Sequence, residues 1–406
     1  MAVFDNVLEL VANIKTSLNL SDQEVALLTT PRKISSTELE VDGIKYPAWR
    51  ILFNNDLGPG KGGIRFHPEA SEDEVKSLSF WMSIKNALLQ LPFGGGKGGV
   101  RFDPKKASPE LIDKISRAYI QAFHENLGQD IDVPAPDVYT NAQIMGVMLD
   151  EFEKIKAYKE SAMITGKPLI LGGLKLRGTA TAAGGYLLLQ EAAKKYFSGK
   201  TNLTMAVQGF GNAGRHMAEM AAAGGYKLVA TSDSRGAIYQ AEGLDINELK
   251  KIKDNHGSVA DYSAGEKIKP EEILNLEVDV LVLAALENQI TETNANSVKA
   301  KLIIELANGP IDRAGDKIIE ERGIPVVPDV LANAGGVVVS YFEWCHNRSG
   351  NILDEDYLKQ LLDKRMLDAW SRVISEQALG NFSLRTAAYR LAINSLLSAA
   401  RSRGRI

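Results

Sequence analysis

The stretch Leu91–Pro104, LPFGGGKGGVRFDP, sets one lysine, Lys97, among five glycines: Gly94, Gly95, Gly96, Gly98 and Gly99. Glycine adopts backbone angles closed to other residues and lets a ligand approach the main chain closely. A lysine held there is positioned for a substrate. A phosphate-gripping loop of the form G-x-x-x-x-G-K-[ST] is excluded, because it needs Gly at 91 and Ser or Thr at 98; the chain has Leu91 and Gly98. Apolar flanks (Leu88, Leu89, Leu91, Phe93, Val100, Phe102) argue for partial burial rather than a flexible surface turn. The stretch also has an echo upstream: Lys61-Gly-Gly-Ile-Arg-Phe-His-Pro68 repeats almost residue for residue as Lys97-Gly-Gly-Val-Arg-Phe-Asp-Pro104. Each copy leads into a helix start, Ser71 with Glu74 as a capping box and Ser108 with Pro109 at the first helical position. The pattern is two strand–turn–helix units, each presenting a lysine from a glycine pair.

The rest of the chain fits an α/β protein of two domains. At 406 residues it is too long for one core. A net charge of −4 without a basic run argues against nucleic-acid binding. Cys345 is the only cysteine, so no intrachain disulfide forms, which fits a reducing compartment and a cytoplasmic protein. No apolar run reaches the ~18 residues of a membrane helix. The five histidines, His67, His124, His216, His256 and His346, lack ligand spacing, so no metal is expected. Residues 34–53 alternate as a hairpin bent at Asp42-Gly43, and helices are expected over 5–19, 71–91, 109–127 and 141–158. Asp130–Asp137 reads as a strand end running into a proline-stiffened loop. The seam falls near 160–180. Beyond it, strands at 203–208, 227–232, 279–283, 302–305 and 325–327 alternate with helices at 213–223, 245–254, 270–274 and 294–299, a doubly wound pattern. The expected division is a first domain over 1–178, rejoined by a C-terminal helix over about 376–406, and a Rossmann-type nucleotide-binding domain over 179–375.

Within that second domain, Gly209-Phe210-Gly211-Asn212-Ala213-Gly214 matches G-x-G-x-x-G directly after one expected strand and at the start of one expected helix. The first Gly makes the turn, the second admits a pyrophosphate, and the third lets helix pack on strand. Asp233, which lies 24 residues past Gly209 and precedes Ser234, stands where an acid takes ribose hydroxyls. It favours NAD, whereas Arg235 can pair with the 2′-phosphate of NADP. Ala284, Ala285 and Asn308 follow later strands at the edge where the riboses rest.

With these motifs placed, the chain resembles the glutamate, leucine, phenylalanine and valine dehydrogenase family from about Pro31 onward. The Lys97 stretch matches that family's active-site signature throughout. Further matches are Gly58-Pro59 with Lys61-Gly62-Gly63, Lys85-Asn86-Ala87, Val133-Pro-Ala-Pro-Asp137, Asn333-Ala-Gly-Gly-Val337 with Ser340, and Arg385-Thr-Ala-Ala-Tyr389. The resemblance implies Lys97 as catalytic lysine, Asp137 as proton-transferring acid, and Lys85 on the substrate α-carboxylate. It implies Lys61 and Ser340 on a side-chain carboxylate, and Thr181 and Asn333 near the nicotinamide. The expected activity is reversible oxidative deamination of L-glutamate to 2-oxoglutarate and ammonia with NAD or NADP, in a homo-oligomer resembling the family's hexamers. Two alternatives are an enzyme for branched-chain or aromatic amino acids and a catalytically silent, nucleotide-sensing member. Burial and the charges of Lys85 and Lys61 are expected to lower the Lys97 pKa, and a cleft is expected to close through hinges near 160–180 and 345–375. Gly60, where an aromatic or His is commoner, departs from the family and is expected to loosen the side-chain pocket. Leu174-Lys175-Leu176 replaces a small glycine-containing turn.

Overall fold

Both lysine–glycine segments are extended strands in the computed structural model, which describes residues 3–351 and 353–406. The chain forms two compact units. The first holds the residues up to Arg177 together with Val337–Leu358 and Tyr389–Ile406; the second holds Gly178–Gly336 and Lys359–Ala388. This differs from the expected 179–375 block, because Val337–Leu358 belongs to the first unit and the return begins only at Tyr389. The apolar face of a long helix reveals that it packs, not which core receives it.

The first unit runs α1 Asp5–Leu18, α2 Asp22–Thr29, β1 Lys33–Val41, β2 Ile44–Asn54, β3 Gly60–His67, α3 Glu72–Leu88, β4 Gly95–Arg101, α4 Pro109–Phe123, β5 Asp132–Pro136 and α5 Ala142–Lys156. Ser21, Ser71, Ser108 and Asn141 cap α2, α3, α4 and α5 by accepting from amides three residues on. Ser21 and Glu24 make a full capping box. Ser71 and Glu74 do not, because the Glu74 carboxylate is drawn to Arg65 instead.

The five strands are ordered β1-β2-β4-β3-β5, antiparallel up to β4 and parallel from β4 through β3 to β5. Ile64 lies opposite Gly98. Strand alternation therefore sends Lys61, Arg65 and Lys97 to one face, the face of Gly95 and Gly99. Helix α3 lies against it: a Cβ on Gly95 would stand 2.1 Å from Ser83 Oγ, and one on Gly99 2.9 Å from Val75. On the opposite face a Cβ on Gly98 would stand 2.2 Å from the Tyr119 hydroxyl of α4. None of the glycines from Gly94 to Gly99 has a positive φ. Gly95, Gly98 and Gly99 are required for close packing of helices on bare backbone, and none of the five is required for a positive φ.

That opposite face also buries a charge pair. The Arg50 guanidinium donates through Nε to Asp132 Oδ2 at 2.7 Å, through a second nitrogen to Asp132 Oδ1, and to the Gly62 carbonyl at 3.1 Å. A Cβ on Gly60 would come 2.6 Å from Asp132 Cγ and 2.5 Å from Leu52, and one on Gly96 2.4 Å from Asp132 Oδ1. Gly60 thus makes room for the ion pair rather than loosening a substrate pocket. Ile64, Phe66, Val100, Ile120, Met145, Met148 and Phe152 fill the core around Tyr119.

The second unit contributes α6 Ala180–Tyr196, β6 Thr204–Gln208, α7 Asn212–Ala223, β7 Lys227–Asp233, β8 Gly236–Tyr239, α8 Ile246–Asp254, β9 Glu266–Ile268, β10 Val280–Leu283, β11 Leu302–Glu305, α9 Arg313–Glu321, β12 Val326–Val327 and α10 Asp329–Ala332. Helices α11 Gly335–Ser349, α12 Glu355–Gly380 and α13 Leu384–Ser402 carry the chain from one unit to the other. The sheet order is β12-β11-β10-β6-β7-β8-β9, parallel through β7 and antiparallel at the β8–β9 edge. That edge is absent from the sequence reading. The helices expected at 270–274 and 294–299 are 3₁₀ turns, Pro270–Asn275 and Ala295–Ser297, too short to sustain α-helical bonding.

A Gly98→Ala substitution is expected to destabilise the protein by about 2–3 kcal/mol, the cost of overpacking a filled core. It must displace the Tyr119 hydroxyl, which donates to Trp49 O at 3.0 Å. Chemical denaturation of the two proteins checks this.

Candidate active site

The alternation of β3 and β4 that places Lys61, Arg65 and Lys97 on one face also brings them to the C-terminal end of β5, where Asp137 follows Pro136. Lys97 Nζ lies 3.1 Å from Asp137 Oδ1, and Arg65 Nε lies 3.0 Å from Asp137 Oδ2. Each carboxylate oxygen therefore faces a different cation. Arg65 in turn reaches Glu74, and the Asp137 amide donates to Thr140 Oγ1 at 2.7 Å, which fixes the loop. The Lys97 side chain is only 7% exposed. Burial lowers its pKa; Asp137 opposes the shift and the Arg65 cation adds to it. The lowering was expected, but the neighbouring charge responsible is Arg65 and not Lys85 or Lys61. Burial alone would raise the Asp137 carboxyl, yet Lys97 and Arg65 together hold it at about 2.

Lys61 is buried on β3 at 1% exposure. Among the described residues no hydrogen bond or ion pair engages its ammonium. Burial, then the charges of Arg177 and Arg50, bring its pKa down to about 7, with Glu343 and Asp132 opposing. Glu343 is occupied elsewhere: it accepts from the Gly166 amide at 2.9 Å and from Lys167 Nζ at 2.8 Å. Ser340, buried at 1% exposure, precedes Glu343 by one helical turn on α11, so both lie on the face of that helix whose charge Lys61 feels. Val337, also buried, begins the same stretch. Lys85, half-buried, ends α3. Gly62 and Gly63 are backbone in β3, where a Cβ on Gly63 would meet the Asp137 Cβ at 2.7 Å.

The sequence reading missed Arg65, Arg177 and Glu343. Arg65 was accessible, since a residue four positions past Lys61 in a strand shares its face. Arg177 and Glu343 lie 116 and 282 residues from Lys61, and only tertiary structure joins them. Arg177 Nε has no hydrogen-bond partner among the described residues.

In the second unit, the G-x-G-x-x-G turn lies between β6 and α7. Gly209 has φ +93°, and a Cβ there would meet Ala284 O at 2.7 Å and Ala285 Cα at 2.8 Å. A Cβ on Gly214 would stand 1.9 Å from Gly209 O, whereas one on Gly211 would meet nothing within 4 Å. No side chain caps the α7 amides at Gly211. An open cradle at an uncapped helix start fits a pyrophosphate. Phe210 is buried and its amide donates to Ser232 O at 2.7 Å. Asn212 Nδ2 donates to Gly178 O at 2.9 Å, and Ala213 lies in the first turn of α7. Asn333 Nδ2 donates to Asn308 Oδ1 at 3.0 Å, tying those two residues together beyond β11. Thr181 is half-buried in the first turn of α6, and Ser234 is exposed after β7.

Two family models account for most of the sequence. Residues 32–154 match the Glu/Leu/Phe/Val dehydrogenase dimerisation domain, and residues 172–404 match Glutamate/Leucine/Phenylalanine/Valine dehydrogenase. The chain belongs to this family. Among its relatives are an NADP-specific glutamate dehydrogenase of Synechocystis sp., 42% identical with 100% of this chain and 94% of the relative covered. A glutamate dehydrogenase of Aeropyrum pernix is 43% identical over 95% of each chain. Of solved structures, glutamate dehydrogenase from Peptoniphilus asaccharolyticus aligns with TM-score 0.86 at 35% identity over 100% of both chains. Hetero-hexameric glutamate dehydrogenase from Thermus thermophilus in a Leu-bound form aligns with TM-score 0.93 at 29% identity, covering 99% of this chain and 97% of that one. For a dehydrogenase of this family, the shared Asp137 makes Arg65 a control on the Lys97 charge. Arg65→Met is expected to raise the Lys97 pKa, and the limb of the kcat–pH profile that requires neutral lysine should move to higher pH by roughly one unit. A pH–rate profile of both proteins tests it.

Proposed function

We propose that the protein is a glutamate dehydrogenase, catalysing reversible oxidative deamination of L-glutamate to 2-oxoglutarate and ammonia with NAD or NADP. The observation that carries this reading is Lys61. A buried ammonium without an anion is costly, and its environment lowers its pKa toward neutrality. The side-chain carboxylate of glutamate supplies the missing counter-ion, with the Ser340 hydroxyl beside it. An apolar amino acid would leave Lys61 unpaired, which disfavours the branched-chain and aromatic alternatives.

Lys85 holds the α-carboxylate, leaving the amino-bearing carbon toward Lys97 and Asp137. Lys97, lowered in pKa, removes a proton from the attacking water or from the carbinolamine hydroxyl, and Asp137 moves protons to and from the substrate nitrogen. Arg65 keeps Asp137 ionised and shares its charge, so Lys97 is not locked as an ammonium. The dinucleotide supplies the hydride acceptor at its nicotinamide ring. Gly209, Phe210, Gly211, Asn212, Ala213 and Gly214 hold its pyrophosphate, Ala284, Ala285 and Asn308 line its riboses, and Thr181 and Asn333 hold the carboxamide. The hetero-hexameric Thermus relative supports an oligomer of this chain, which we take as a homo-hexamer. No helix among the described residues is long and apolar enough to cross a membrane; cytoplasmic residence is proposed from the single cysteine.

Lys97→Ala is expected to lower kcat at least 1,000-fold, and near-wild-type turnover would refute the mechanism. Lys61→Leu is expected to lower kcat/KM for glutamate about 100-fold, in line with ~1.5–3 kcal/mol for a charge-assisted contact. Its kcat/KM for leucine should stay level or rise. Steady-state kinetics with both amino acids measures the two outcomes.

A further inference from the structure

Asn308-Gly309 is the only Asn-Gly pair in the chain. Such a pair has a chemistry of its own, because a glycine amide nitrogen, unhindered by a Cβ, can attack the side-chain carbonyl carbon of the asparagine before it. The pair lies in a bend beyond β11 with both residues exposed. Gly309 has φ +54°, and a Cβ there would meet nothing within 4 Å. The backbone has room to turn through the geometry of attack.

Neighbours of both reacting groups are placed to promote that step. The nucleophile, the Gly309 amide, donates to Asp329 Oδ2 at 2.9 Å. Asp329 is itself fixed: its Oδ1 accepts from the Val330 amide at 2.7 Å, and its own amide donates to Glu305 Oε2 at 2.8 Å. A carboxylate held at an N–H is a general base in position. The electrophile is the Asn308 side-chain amide. Its Oδ1 accepts at 3.0 Å from Asn333 Nδ2, which also donates to Leu306 O at 3.3 Å and Ala307 O at 3.2 Å. That donor polarises the carbonyl and faces the oxygen on which charge develops during attack. The Gly309 carbonyl accepts from the Asn288 amide at 2.9 Å, and the Pro310 carbonyl from the Gln289 amide at 2.7 Å. The glycine side of the pair is therefore stapled while the asparagine side faces solvent.

We propose that Asn308 is a self-deamidating site, with Asp329 as the base and Asn333 as the oxyanion donor. The Gly309 nitrogen bonds to Asn308 Cγ, its proton passes to Asp329 Oδ2, and the Cγ–Nδ2 bond breaks. Ammonia leaves with that proton, and a cyclic imide remains. Water then adds to either imide carbonyl and opens the ring to aspartate or isoaspartate. In sum the side-chain NH2 is exchanged for OH, with one water consumed, one ammonia released and no change of oxidation state. The covalent step stands without the dehydrogenase reading; only its consequence, a new negative charge at the edge assigned to the nucleotide ribose, rests on that reading.

The test incubates the full-length protein, without nucleotide, in mildly alkaline buffer and follows the tryptic peptide 302–313 by mass spectrometry. Asn308 is the only asparagine in that peptide, which has no glutamine, so the mass gain reports this site alone. The folded wild type is expected to deamidate roughly threefold faster or more than the same protein unfolded in guanidinium chloride. An equal or lower folded rate overturns the proposal, since restraint of the Gly309 amide by its hydrogen bond then outweighs its activation. This comparison needs no variant. Asp329→Asn and Asn333→Ala are each expected to bring the folded rate down to the unfolded one, and an unchanged rate in either overturns the role assigned to that residue and the proposal with it. Isoaspartate among the products, detected by enzymatic methylation, supports the imide route; aspartate alone, the mark of direct hydrolysis by water, overturns it.

Discussion

Arg50 and Asp132 make an ion pair beneath the first sheet, each side chain 1% exposed. Desolvating two charges costs several kcal/mol apiece and is offset only by good geometry and further hydrogen bonds. Here the guanidinium meets both carboxylate oxygens and a strand carbonyl. That arrangement needs space directly under β3 and β4, and space under a strand exists only where side chains do not. The glycines at 60 and 96 follow from the pair; those at 95, 98 and 99 follow from the helices pressed against the same strands. With backbone positions so constrained, Lys61, Arg65 and Lys97 project from a rigid sheet face and not from a loop. Rigid presentation matters for a charge whose pKa depends on a neighbour at 3.1 Å.

The sequence revealed most of this where information is local. Alternation, caps and the Gly209–Gly214 turn placed most strands and helices, though not β8, β9, α9, α10 or α11; the lysine–glycine repeat pointed to Lys97 and Lys61, and the family resemblance to Asp137. It failed where the deciding contact is remote. The partner of Glu74 is a strand residue, Arg65, and no capping rule anticipates that competition. The charge that acts on Lys97 comes from the same Arg65, whereas Lys85 and Lys61 looked equally suitable on paper. The glycines looked alike as ligand clearances, yet each has its own obstacle, a hydroxyl, a carboxylate or a valine, set by residues up to 72 positions away, as for Gly60 and Asp132.

Asp233 shows the same limit in the second unit. Its position past Gly209 was legible, and the strand ending there was expected. Its hydrogen-bonding neighbours, Lys253, Ser258 and Val259, come from a segment 20–26 residues downstream that folds back on the turn. A carboxylate's identity is visible in a sequence; its remaining acceptor capacity is not.

The discontinuity of the first unit has a consequence for how the protein is made. Its opening strands leave the ribosome early, but Arg50 finds its counter-charge only after 82 more residues. Tyr389–Ile406, whose Tyr389 ring packs 5.5 Å from Trp81, follows the whole of Gly178–Gly336 in the chain. Domains of nascent chains generally fold in order of emergence. Here the unit that begins first is joined by Tyr389–Ile406 only after Gly178–Gly336 has been made, so Trp81 lacks its Tyr389 contact until then.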